Sequence, residues 1–236
     1  MTPCRFELRH YPELDSTNEE AKRLLAQGGI RRPLILRTDR QTAGKGTQGR
    51  QWFSPPGAGL YFSLIHSFER ANDWLDSSLQ IPLTPLFTLA AGVACAETLA
   101  TLTGLTLQLK PINDLYVEGR KLGGILTESL ISENRCKALI TGIGINIREH
   151  ESVQTGCAQE NRGQQPISLQ ACIPPQIFNQ WHADALMEEL CQAIAVAVDE
   201  QYQKLAQGQA PALLAAYLSY KLPQVELPEA ISALMA

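Results

Sequence analysis

The sequence predicts an α/β chain of the α+β kind, with a mixed, largely antiparallel sheet flanked by helices. Three observations point there. The strand patterns at Leu115-Tyr116-Val117 and Leu122–Leu130 are joined by the tight Glu118-Gly119 turn, which suits antiparallel neighbours. The Ala- and Leu-rich stretch from Leu86 to Leu102 reads as one long buried helix ending near Gly104. No repeated βαβ series and no internal repeat runs through the chain.

In chain order, Phe6–Tyr11 is a short strand, followed by a turn at Pro12. Asp15-Ser16-Thr17-Asn18 offers several N-caps to a helix through Glu19–Leu25, and Gly28-Gly29 stops it. Leu34-Ile35-Leu36 is a strand that runs into a glycine-rich loop. Gly59–Ile65 is apolar enough for a buried strand. Asn72–Pro85 is a connection with two prolines, and Leu105–Leu109 is a strand. Lys137–Ile147 alternates as one more, and its Gly142 and Gly144 suggest a close approach of backbone or ligand. Glu151–Pro175 is polar and without a long apolar period, so it reads as loop with one ordered turn. Phe178–Ala206 has helical periodicity through Trp181, Leu186, Leu190, Ile194, Val198 and Tyr202, and Pro211–Leu218 is a shorter helix.

The 236 residues suffice for one hydrophobic core with a small appendage. With 44% hydrophobic and 19% charged residues the composition is that of an ordinary globular protein. The net charge of −4 argues against a protein that coats nucleic acid. The six cysteines (Cys4, Cys95, Cys136, Cys157, Cys172 and Cys191) include no CxxC pair, so reduced, mostly buried thiols are expected rather than disulfides or zinc. No apolar run reads as a membrane span and no signal peptide opens the chain, so the expectation is a cytoplasmic protein with no membrane partner. The histidines His10, His66, His150 and His182 are scattered, against a His-based triad or metal cluster.

Chemistry concentrates in Gln41–Trp52, where Gly44, Gly46 and Gly49 fall within six positions beside Lys45 and Arg50. Backbone N–H groups in such a loop can surround an anion, and the two cations add charge-assisted bonds. The glycine spacing matches a dinucleotide fingerprint formally, but Pro55-Pro56 prevents the helix that motif needs, and no Walker A pattern is present. The alternative is a surface turn with solvated cations.

Gly119-Arg120-Lys121-Leu122-Gly123-Gly124 is a second basic, glycine-bearing element. Lys121 lies among Leu122, Ile125 and Leu126, so it either snorkels to a solvated edge or meets a ligand anion. In Lys110-Pro111-Ile112-Asn113-Asp114, Asp114 is either a divalent-ion ligand beside phosphates or a turn-capping residue. Asp15-Ser16-Thr17-Asn18 is likewise a helix cap, or a run whose hydroxyls donate to a small polar ligand.

Taken in order, these segments resemble the biotin protein ligases, over most of residues 5–220. The resemblance runs through Asp15–Asn18, Gln41–Pro55, Gly59–Ser63, Lys110–Leu115, Arg120–Glu128 and Gly142–Asn146. It implies the catalytic fold shared with class II aminoacyl-tRNA synthetases, with a catalytic domain over 1–220 and a short tail over 221–236. It implies ATP with Mg²⁺, biotin as substrate, and ligation of biotin to a lysine of a biotin carboxyl carrier protein, such as that of acetyl-CoA carboxylase, through biotinyl-5′-AMP. A lipoate-type ligase or a catalytically weakened biotin- or adenylate-binding protein are the alternatives, and a homodimer is compatible with the family.

By the same resemblance, Ser16, Thr17 and Gln41 would bind the ureido end of biotin, and Gly44, Lys45, Gly46 and Arg50 would fold over biotin and the adenylate phosphate. Trp52 would flank adenine. Lys121 would hold the biotin carboxylate and the transferring phosphoryl group. Asn113 and Asp114 would serve the phosphates, with Asp114 on Mg²⁺ and assisting deprotonation of the acceptor lysine. Gly123 and Gly124 would bring backbone close to biotin, and Asn146 would face the nucleotide.

Three departures from the family pattern stand out. Lys45 and Thr47 occupy positions where the family usually has arginines, and Lys110-Pro111-Ile112-Asn113-Asp114 replaces Lys-Trp-Pro-Asn-Asp. The usual β-rich C-terminal domain is expected to be reduced or absent, and no room is expected for an N-terminal DNA-binding domain.

Overall fold

Alternating side chains on two long central strands, β3 (Gly59–Ser67) and β7 (Arg135–Asn146), sort the core into two layers. Leu60, Phe62 and Leu64 of β3 join Leu139, Ile143 and Ile145 of β7 in the main core. Ile65 and Ile140 point the other way, into a smaller cluster with Ala21, Leu34 and Leu36. The computed structural model describes residues 6–28, 30, 32–68, 84–132, 135–153, 155, 165–179 and 184–232. Cys4, Gly29, Cys157, Trp181, His182 and most of the Asn72–Pro85 connection lie outside the described residues.

Besides β3 and β7, the strands are β1 (Glu7–Tyr11), β2 (Leu34–Thr38), β4 (Gln108–Lys110), β5 (Asp114–Val117) and β6 (Arg120–Ser132). The described strands form one seven-stranded sheet in the order β1-β2-β3-β7-β6-β5-β4. β1 and β2 pair in parallel, and every other pairing is antiparallel. This is the mixed, largely antiparallel sheet that the sequence predicts.

The smaller cluster is covered by α1 (Thr17–Ala26). Its C-terminus is closed by Gly28 at φ +68°, whose N–H donates to the Leu25 carbonyl at 3.0 Å. The main core lies under α2 (Thr84–Thr103), α3 (Asp184–Ala206) and α4 (Ala210–Tyr220). By length and mean hydropathy (20 residues, 1.5) α2 meets the measure of a membrane span, which corrects the sequence reading. Its apolar surface is taken up within the fold, where residues from Leu86 to Leu99 pack against the sheet and the other helices.

One further boundary differs from expectation. Leu105–Leu107 is not strand, because after Gly104 turns at φ +72° the chain needs these residues to reach the sheet edge. The helix expected from Phe178 is described from Asp184 to Ala206, residues 180–183 lying outside the described residues, and Pro175–Phe178 forms a single turn. Beyond residue 220 the chain stays on the body: Leu222 N–H donates to the Leu109 carbonyl at 2.9 Å, and Ile231 is buried in the main core.

The described cysteines are free thiols, with Cys95 and Cys191 buried. Burial pushes the Cys95 thiol up to about 12. The described histidines are dispersed as expected: His10 meets Asp39, His150 meets Ser152, and His66 lies in the core 3.1 Å from Asp199.

Candidate active site

The glycine-rich loop closes on itself as a hairpin. Gln41 N–H donates to the Ser54 carbonyl at 3.1 Å, Trp52 N–H to Gly44 at 2.9 Å and Gly46 N–H to Arg50 at 2.7 Å. At its tip Gln48 and Gly49 both take positive φ, 58° and 73°. The hairpin leans over the sheet face that carries α1. Between them is an open cleft whose empty space, solvent at its mouth included, is about 950 Å³.

Two glycines on β7 make the floor. A Cβ at Gly142 would collide with the Asn18 carboxamide, and one at Gly144 with the Trp52 indole. The spacing of two puts both glycines on one face, so helix α1 and the hairpin each settle onto the strand. Gly124 on β6 adds to this floor, where a Cβ would stand 3.2 Å from the Trp52 ring.

Lys121 reaches the same cleft because of a β-bulge. Pairing between β5 and β6 shifts register at Leu115/Tyr116, leaving Leu122 as the extra residue of β6. In a regular strand residues 121 and 124 would face opposite sides; the bulge re-aims Lys121 onto the face of Gly124, and both line the cleft. Lys121 Nζ lies 2.8 Å from Asp114 Oδ1 and 5.4 Å from the centre of the Trp52 ring. Asp114 is buried, and together with burial its charge helps push the Tyr116 phenol up to about 12; burial is the larger cause.

The far end of the cleft is uncharged and closely hydrogen-bonded. Thr17 N–H donates to Gln41 Oε1 at 2.9 Å, and Gln41 Nε2 donates to Ser54 Oγ at 2.8 Å. Buried Ser63 lies beneath, 2.7 Å from Thr17 Oγ1 and 2.6 Å from Asn18 Oδ1. Asp15 Oδ1 accepts from Ser16 N–H at 2.7 Å, and Arg23 clasps both Asp15 oxygens from the next turn of α1.

Of the residues expected at a site, Ser16, Thr17, Gln41, Lys45, Gly46, Arg50, Trp52, Asn113, Lys121, Gly124 and Asn146 line this cleft. Gly44, Gly123 and Asp114 do not. The space over Gly44 is filled by the Trp52 carbonyl, and Gly123 is pressed against the Gly144 carbonyl inside the sheet. Their glycines serve backbone packing, while Asp114 stands behind Lys121. Lys45 Nζ bonds Glu19 Oε1 at 2.7 Å, and Glu19 also accepts from Lys22. Bonds from Lys22 and then Lys45 hold the Glu19 carboxyl below the usual range.

Trp52 sits on the glycine floor beside Lys121, and Asn146 Nδ2 donates to the carbonyls of Ile167 and Lys121 at 3.2 and 3.4 Å. Asn113 Nδ2 donates to the Ile125 carbonyl at 3.2 Å. Among the described residues no group of three or more His, Cys, Asp or Glu is placed to hold a metal ion.

Sequence reasoning did not place Pro166, Val153 and Leu126 in the lining. Pro166 arrives because residues 165–167 pair with β6 at Lys121: Lys121 N–H donates to Gln165 and Ile167 N–H to Lys121. Nothing in a segment without apolar period announces that pairing. Asn18, by contrast, was legible as the third polar residue of the run opening α1.

Residues 11–146 match the biotin/lipoate A/B protein ligase family. The chain belongs to that family. The match runs from the last residue of β1 to the end of β7, taking in six of the seven described strands and the whole glycine hairpin. Among curated relatives, the bifunctional ligase/repressor BirA of Bacillus spizizenii is 32% identical over 139 residues, 59% of this chain and 40% of that protein. The biotin–[acetyl-CoA-carboxylase] ligase of Paracoccus denitrificans is 29% identical over 168 residues, 70% of this chain and 65% of that protein. The chain thus spans about two fifths of the BirA relative's length. Among solved structures, the biotin protein ligase of Aquifex aeolicus in complex with biotin and ATP superposes with a TM-score of 0.65 at 26% identity, covering 92% of this chain and 78% of that one. The catalytic fold expected from the family resemblance is the fold observed.

Proposed function

We propose that this biotin/lipoate ligase family member activates biotin with ATP and transfers it to a lysine of a biotin carboxyl carrier protein or domain. One observation carries the reading: the half-buried ammonium of Lys121 stands between an uncharged, hydrogen-bonded end and the exposed cations of the hairpin, among the described cleft-lining residues. A ligand with a neutral polar head and an anionic tail, such as biotin, matches that layout. Likeness to a ligase solved with biotin and ATP supports the same ligand pair.

In the first step a biotin carboxylate oxygen attacks the α-phosphorus of ATP, forming the acyl phosphate bond as pyrophosphate leaves. Lys121 Nζ lies where it can hold the carboxylate and the equatorial phosphate oxygens, and the hairpin cations Lys45 and Arg50 add neutralising charge. In the second step the acceptor amine attacks the acyl carbon, an amide forms and AMP departs. The amine must lose a proton, which goes to solvent, while Asp114 behind Lys121 holds that ammonium in place. Asp114 is paired with Lys121 and lies outside the cleft lining, and no carboxylate among the described lining residues is placed to hold Mg²⁺, so an ion there would be held by phosphate oxygens and water.

Purified protein given biotin, Mg-ATP and a biotin acceptor domain should add the mass of one biotinyl group to that domain. Biotin-dependent pyrophosphate release without labelling would support the weakened, adenylate-forming reading that Thr47 at the hairpin tip favours. No biotin binding and no labelling would refute the ligand assignment.

A further inference from the structure

Glu128 lies outside the cleft, yet the direction of the Asn18–Ser63–Thr17 contacts can be ordered from it. Its Oε2 accepts from Asn18 Nδ2 at 2.8 Å, while Lys22 Nζ occupies the other oxygen at 2.8 Å. A carboxylate only accepts, so the amide side of Asn18 must face it, and the Leu126 carbonyl takes the same amide at 3.2 Å. Asn18 Oδ1 is therefore turned to Ser63.

Ser63 Oγ has one proton and two oxygens within reach, Asn18 Oδ1 at 2.6 Å and Thr17 Oγ1 at 2.7 Å. Because Asn18 Oδ1 cannot donate, the Ser63 proton goes to it. The short contact with Thr17 then requires the Thr17 hydroxyl to donate toward Ser63, in preference to Gln41 Oε1 at 3.3 Å. Thr17 Oγ1 is left with lone pairs for the cleft that it lines. Gln41, whose Oε1 is taken by Thr17 N–H, is left with its amide as the donor end.

We propose that Glu128 is a positioning residue that sets the hydrogen-bond polarity of this end, so that the cleft selects a group offering N–H to Thr17 and a carbonyl oxygen to Gln41 Nε2. A cyclic urea has both on adjacent atoms, so the inference deepens the reading of the ligand as biotin and rests on it. Without Glu128 the Asn18 carboxamide can turn over, Ser63 and Thr17 can reverse, and the selection weakens. A Glu128 that served only as a surface partner for Lys22 would leave selection untouched.

The test compares biotin with its cyclic carbamate analogue, whose ring carries an oxygen in place of the N–H that faces Thr17 and keeps the carbonyl. Dissociation constants for both are measured by calorimetry on the full chain, for wild type, Glu128→Gln and Glu128→Asp. Wild type should prefer biotin by about 100-fold or more, since a site built around a hydrogen bond rejects the analogue that lacks it. Glu128→Gln, whose terminal amide lets Asn18 turn, should lose about tenfold of that ratio by weakening biotin alone. Glu128→Asp, which keeps a carboxylate, should recover part of it. Equal weakening of both ligands, or an unchanged ratio, in Glu128→Gln would overturn the proposal while leaving biotin as the ligand. A wild-type protein that binds no biotin would instead sink the ligand reading, and this inference with it.

Discussion

Gly144 and Trp52 are fitted to one another: the indole Nε1 fills the space over Gly144 that any side chain would need. This contact joins the hairpin to β7, and Lys121 closes the third side with its ammonium over the same ring. Cleft depth and placement of the Lys121 ammonium are thus set together. Gly144→Ala should force the indole away from the floor. Overpacking of this kind costs about 1–3 kcal/mol, read as a lower urea midpoint. Biotin affinity should fall about tenfold with it, since the ring no longer supports Lys121. A variant with wild-type midpoint and affinity would show that the floor yields, and that Trp52 does not set the site.

Lys121 has two separable duties, because it both faces the cleft and neutralises Asp114. Lys121→Ala leaves a buried carboxylate without its cation, a loss on the order of 3 kcal/mol. Lys121→Ala combined with Asp114→Asn removes that unpaired charge and should restore most of the stability. Biotin-dependent pyrophosphate release should stay at least about 100-fold below wild type in both variants. Near-normal release in the refolded double variant would remove Lys121 from the chemistry.

Much of this was legible in the sequence, and the reasons are local. The Leu86–Leu102 composition announced α2, and the tight Glu118-Gly119 turn announced the β5–β6 hairpin. Gly142 and Gly144, two apart on a strand, announced a face that something approaches closely. The direction of Lys121 was not legible, because it depends on a bulge fixed by pairing with β5 rather than by the residues around it. Asp114 looked like a metal ligand or a turn cap until folding brought Lys121 to 2.8 Å. Pro166 enters from a stretch whose pairing to Lys121 leaves no periodic trace.

Thr47 lines the cleft at the hairpin tip, where the family pattern has a guanidinium. Lys45, the neighbouring departure, lines the cleft but shares its charge with Glu19 on α1. A single hydroxyl at the tip offers one donor against the five of arginine. Thr47→Arg should therefore slow release of the bound adenylate by about tenfold, the worth of one charge-assisted bond. The off-rate is read by chasing labelled adenylate with excess unlabelled biotin and ATP. An unchanged off-rate would reject the missing guanidinium as the cause of weak retention.

Asp15 ties the ligand end of the cleft to acid stability. The Arg23 guanidinium, helped by the Ser16 N–H and opposed by burial, brings its carboxyl from the ordinary 3.8 down to about 2. A folded value below the unfolded one means that the contribution to stability is complete above the unfolded value. It is then lost as pH falls through the interval down to about 2. The pair is largely exposed, so salt should shrink the effect. Urea midpoints measured between pH 5 and pH 2 should fall less steeply for Asp15→Asn than for wild type, and the two curves should converge at the acid end. Because Asp15 also receives the Ser16 N–H beside the cleft, Asp15→Asn should weaken biotin binding a few-fold at neutral pH. Parallel acid curves in the two proteins would show that Asp15 gains nothing from Arg23 in the folded state.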